Sequence, residues 1–137
     1  MWVFAKTGFV SIVAHRDNPN HLLVRARVRQ DLENFREVIS PEVTHGIGDV
    51  IETPEADYRW RCTISRAAVA DGLVHLALEM DYDNFKNAVH GEPARDRAYM
   101  DVWGAMYGLQ RAGAGCCKGN AGCKSGGQTL LDLEGLG

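Results

Sequence analysis

The chain has 137 residues, with 15 lysines and arginines against 18 aspartates and glutamates, a net charge of −3 and a sequence pI near 5.9. That length leaves room for one compact domain plus a tail. Mild acidity excludes a general polyanion binder, so any nucleic-acid role must rest on a local patch. No run approaches the roughly 18 apolar residues of a membrane helix. The start, Met1-Trp2-Val3-Phe4-Ala5-Lys6-Thr7-Gly8, lacks the pattern of a secretory signal. A cytoplasmic protein without membrane contact is expected, with Cys62, Cys116, Cys117 and Cys123 as reduced thiols rather than a disulfide framework.

In chain order, Trp2 to Ala5 and Phe9 to His15 are rich in aromatic and branched residues, and Lys6-Thr7-Gly8 suits a tight hairpin. Arg16-Asp17-Asn18-Pro19-Asn20 is a turn. Leu22 to Val28 alternates, with Leu22, Val24, Ala26 and Val28 inward and Arg25 and Arg27 outward. Leu32, Phe35 and Ile39 have helical spacing, and Ser40-Pro41 stops that helix. Asp49 to Thr53 reads as a short strand. From Tyr58 to Ser65 the alternation returns, with Tyr58, Trp60, Cys62 and Ile64 inward and Arg59, Arg61, Thr63 and Ser65 outward. Ser65 caps a helix to about Met80 with a buried stripe of Val69, Leu73, Leu76 and Met80. A short helix over Phe85 to His90 precedes a last helix that has Pro93 in its first turn. Tyr99, Val102, Trp103, Met106 and Gln110 recur along it, which predicts Trp103 and Met106 inward.

The order βββαββααα predicts an α+β domain over residues 1–111, an antiparallel sheet of about five strands with helices on one face. Residues 112–137 hold eight glycines and three of the four cysteines, the composition of a flexible tail.

Arginine offers a planar fork of donors that fits phosphate and carboxylate oxygens and stacks on rings. Arg25, Arg27, Arg59 and Arg61, joined by His15 or Arg16, therefore form the candidate anion- or partner-binding surface. The alternative is a solvated face neutralised by neighbouring carboxylates. With Tyr58 and Trp60 turned inward, the surface lacks the aromatic residues of base-stacking sheets. Cys116, Cys117 and Cys123 fall short of the four ligands of structural zinc, so neither metal nor cofactor is expected. His15, His21, His45, His75 and His90 form no close ligand pair, and no catalytic motif occurs.

Gln128-Thr129-Leu130-Leu131-Asp132-Leu133 resembles the peptides by which bacterial proteins dock on the replication sliding clamp. Gln128, Leu131 and Leu133 match the glutamine and two leucine positions, while Thr129 replaces the usual leucine. More broadly, Met1-Trp2-Val3-Phe4, Gly8-Phe9-Val10-Ser11, His15-Arg16-Asp17-Asn18-Pro19 and Leu23-Val24-Arg25-Ala26-Arg27 resemble a family of short bacterial and phage proteins. Ala56-Asp57-Tyr58-Arg59, Asp81-Tyr82-Asp83-Asn84-Phe85-Lys86 and the helix around Val102-Trp103 extend the resemblance over residues 1–110. It implies a cytoplasmic, phage or bacterial protein and carries over no catalytic residues. The expected function is that of a small non-enzymatic binding protein docking its arginine face on an acidic protein. As a phage product it would inhibit or modulate a host nucleic-acid or defence machine. The alternatives are nucleotide or nucleic-acid binding on the same face, or a small enzyme with a dispersed His/Asp site.

Overall fold

Alternating apolar and polar residues in the first third build a meander. The computed structural model describes residues 1–115. It runs β1 (Trp2–Ala5), β2 (Gly8–Ala14), β3 (His21–Ala26), α1 (Arg29–Glu37), a 3₁₀ helix (Pro41–Gly46), β4 (Ile51–Glu52), β5 (Trp60–Ser65), α2 (Arg66–Leu78), α3 (Phe85–Val89) and α4 (Pro93–Gly115). The five strands form one antiparallel sheet in the order β1-β2-β3-β5-β4. The α+β class and strand order agree with expectation. The 3₁₀ helix follows directly on Ser40-Pro41, which stops an α-helix without preventing the tighter turn that follows.

Directly opposed residues in an antiparallel pair share a face. The register aligns Ile12 with Val24 and Val24 with Cys62, while Leu22 meets Ile64. This inner face packs on Leu32, Phe35 and Ile39 of the α1 region and Ala68 and Val69 of α2, all buried. Gly72 allows the close approach: a Cβ there would lie 3.1 Å from Ile39 and 3.4 Å from Phe35. Ser65 caps α2 as expected, its Oγ accepting the Ala68 N–H at 3.2 Å. Cys62 is buried, its S–H donating to the Gly48 carbonyl at 3.0 Å, and burial pushes its thiol pKa up.

A buried ion pair ties the start of α4 to this body. Asp31, in the first turn of α1, accepts the Phe9 N–H at 2.9 Å and two bonds from Arg95 at 2.7 and 3.1 Å. Gly8 is needed beside it, since a Cβ would sit 2.9 Å from three Asp31 atoms.

The chain divides into Met1–Asp96 and Arg97–Gly137. Within the second unit, Tyr99 is buried but Trp103, Met106 and Leu109 are exposed. The inward placement expected for Trp103 and Met106 is therefore incorrect. Helical spacing is real there, and Trp103 stacks on Tyr107 one turn on at 5.5 Å, but an apolar stripe does not by itself supply a surface to cover it. Met80 is likewise exposed, because α2 ends at Leu78, two residues short of the expected stripe's last member.

Candidate binding face on the sheet

The outer face carries the other half of each alternation. Ser11 of β2 opposes Arg25 of β3, Arg25 opposes Arg61 of β5, and Arg61 opposes Ile51 of β4. Arg25 and Arg61 thus stand side by side, as expected. Like charges directly opposite on a sheet repel, and no described carboxylate pairs with Arg25, Arg27 or Arg61. Arg25 donates to Ser11 Oγ at 2.9 Å, and Arg61 donates to the Tyr58 carbonyl at 3.1 Å. The Nε of each is buried without a hydrogen-bond partner among the described residues. Leaving such a donor unmade costs about 1–3 kcal/mol.

Two neighbours expected on known sides exchange places. Residues 56–58 bend rather than continue the strand, which starts only at Trp60. Tyr58 therefore turns onto the arginine face, where the Arg25 and Arg27 guanidiniums lie 4.6 and 4.8 Å from its ring centre. Arg27 also donates to the Asp57 carbonyl at 3.1 Å. Arg59 goes the other way, to Glu52 at 2.6 Å and over Trp60, which packs on the core. The candidate set thus contracts to Arg25, Arg27 and Arg61, with Arg59 neutralised at the sheet edge. His15 and Arg16 do not join them. The His15 N–H bonds to the His21 carbonyl, which places that turn at the far end of β3, about 13 Å from Arg25 at the usual rise per strand residue.

The face is also aromatic, contrary to the expectation from sequence. Trp2 opposes Ser11 and Phe4 opposes Phe9, so all three rings share the side of Arg25. Phe4 and Phe9 stack at 4.6 Å, Trp2 meets both edge-on at 6.4 and 5.9 Å, and Phe9 lies 6.3 Å from Tyr58. Trp2 is 62% exposed. The signal was present in the Trp2-Val3-Phe4 alternation, but only the pairing register says which face that alternation serves.

Among the described residues no cluster of His, Cys, Asp or Glu could hold a metal ion. No described helix is long and apolar enough to cross a membrane. Asp81, beside the Asp81-Tyr82-Asp83 turn, pairs with Lys6 at 2.6 Å. That hydrogen bond holds its carboxyl below the usual range. Cys116, Cys117 and Cys123, and the docking candidates Gln128, Leu131 and Leu133, lie outside the described residues. No protein-family model, curated protein or solved structure matches the chain.

Proposed function

We propose that this is a binding protein whose outer sheet face receives single-stranded nucleic acid or nucleotides. One observation carries the reading: Trp2, Phe4 and Phe9 share a face with three guanidinium groups that no described carboxylate neutralises, two of them packed over the buried Tyr58 ring. Rings offer bases a stacking surface of about 1–3 kcal/mol per base. Guanidinium forks meet phosphate oxygens, and a bound anion would relieve the repulsion between Arg25 and Arg61. The overall charge of −3 does not oppose this, because at physiological salt interactions beyond about 8 Å are largely screened.

A second reading is an acidic protein partner. The same face concentrates Trp, Tyr and Arg, the residues that dominate protein interfaces, and arginine forks fit carboxylates as well as phosphates. On that reading the protein would modulate or inhibit its partner by covering a surface.

The test is fluorescence anisotropy with labelled DNA and RNA oligonucleotides and nucleotides at low salt. Binding is expected, with quenching of tryptophan emission and loss on Arg25→Glu/Arg61→Glu. Absence of binding at low salt removes the first reading. Capture of an acidic protein that the same double substitution abolishes, with the melting temperature unchanged, would then establish the second.

A further inference from the structure

The outer sheet face has an internal order along one line across its strands. Trp2 opposes Ser11, Ser11 opposes Arg25, and Arg25 opposes Arg61, so the four residues stand in a single row. Neighbouring strands lie about 4.8 Å apart. The two arginines are therefore one strand spacing apart, and Trp2 is two spacings from Arg25. The Arg25 head leans toward the tryptophan end, where its Nη2 donates to Ser11 Oγ at 2.9 Å. Arg61 donates from Nη2 to the Tyr58 carbonyl at 3.1 Å. Each arginine thus has one acceptor among the described residues, out of five N–H donors. Ser11, between ring and guanidinium, is small and buried, whereas Trp2 is exposed.

Such a row discriminates among phosphate ligands. In a single strand a sugar separates one phosphate from the next, which fits two forks one strand spacing apart poorly. In a diphosphate the two groups share one bridging oxygen, and each can take its own guanidinium fork. Charge leads the same way. A terminal phosphate carries about −1.5 to −2 at neutral pH, and an adjoining internal phosphate brings the pair to about −3. Arg25 and Arg61 are joined by Arg27, whose guanidinium shares the Tyr58 ring with that of Arg25 at 4.8 and 4.6 Å. No described carboxylate pairs with any of the three.

We propose, resting on the reading of this face as a nucleic-acid or nucleotide surface, that its ligand is a nucleoside 5′-diphosphate group. The base stacks on Trp2, which Phe4 and Phe9 support edge-on at 6.4 and 5.9 Å. The sugar lies over Ser11, and the two phosphates take Arg25 and Arg61. Arg27 adds the third positive charge from the same strand as Arg25 without standing in the row. The group has two sources, a free nucleotide and the 5′-triphosphate end of an RNA.

The experiment is calorimetric titration of the full chain at low salt with ADP, AMP, pyrophosphate and a short RNA carrying a 5′-hydroxyl or a 5′-triphosphate. ADP should bind at least about tenfold tighter than AMP, the size of one charge-assisted hydrogen bond. It should exceed pyrophosphate, which has no ring to stack, by about tenfold. A 5′-triphosphate RNA tighter than ADP identifies strand ends as the source, and one no tighter identifies the free nucleotide. Arg61→Gln should bring ADP down to the affinity of AMP. Trp2→Ala should weaken ADP and AMP alike and leave pyrophosphate unchanged. AMP or pyrophosphate binding as tightly as ADP overturns the proposal, and the wider reading of the face survives if the 5′-hydroxyl RNA still binds. If no ligand binds, both fall. These comparisons use the unmodified protein, so misfolding of a variant cannot mask a negative result.

Discussion

Charged side chains in this protein fall into two kinds, and their surroundings separate them. Asp31 and Arg95 are compensated, with side chains 5% and 15% exposed and two hydrogen bonds between them. Removing one partner strands the other in a dry place, which costs about 3–5 kcal/mol. Asp31→Ala should lower stability by that amount in urea unfolding. Arg25 and Arg61 are uncompensated, and for them loss of charge relieves repulsion. Arg61→Gln should leave stability within about 0.5 kcal/mol, the usual range for a substitution away from the core, while weakening binding. Among carboxylates, Asp71 and Asp81 are held below the usual range by the Ser40 N–H and by Lys6. Their contribution is therefore present above the unfolded aspartate pKa of about 3.9, and is lost as pH falls through the lower folded values. Thermal melts between neutral pH and the acid range should show a falling melting temperature below about pH 4. Lys6→Met should flatten part of that fall.

At the scale of elements, legibility followed the strength of local signals. Ser65 announced the start of α2, and its hydroxyl does accept the Ala68 N–H. Ser65→Ala should cost about 1 kcal/mol, read as a shift of the urea midpoint with unchanged slope. Strands β2, β3 and β5 were legible because a period of two has no helical reading. The element that misled was the approach to β5. Alternation from Tyr58 onward assumed strand geometry that the chain adopts only at Trp60. The bend over residues 56–58 put Tyr58 beneath Arg25 and Arg27, where it stays buried, and turned Arg59 aside. Met80, Trp103 and Met106 misled for another reason: helical spacing reports a face, and only packing decides whether anything covers it.

Across the whole molecule, the sheet divides into a packed side and an arginine-bearing side. One side buries Val10, Ile12, Val24, Cys62 and Ile64 against α1 and α2; the other gathers arginines from β3 and β5 with rings from β1 and β2. If the three uncompensated guanidiniums each displace one counterion, the logarithm of affinity for a single strand should fall with the logarithm of salt with a slope of about −2. Arg61→Gln should reduce that slope by about 0.7. The sequence by itself determined the α+β class, the strand order along the chain and the outward placement of Arg25 and Arg61 on their own strands, because periodicity and caps are local properties. Which rings join those arginines and which arginine is neutralised were decided only by tertiary structure. Register, bends and helix docking bring together residues that no local pattern relates.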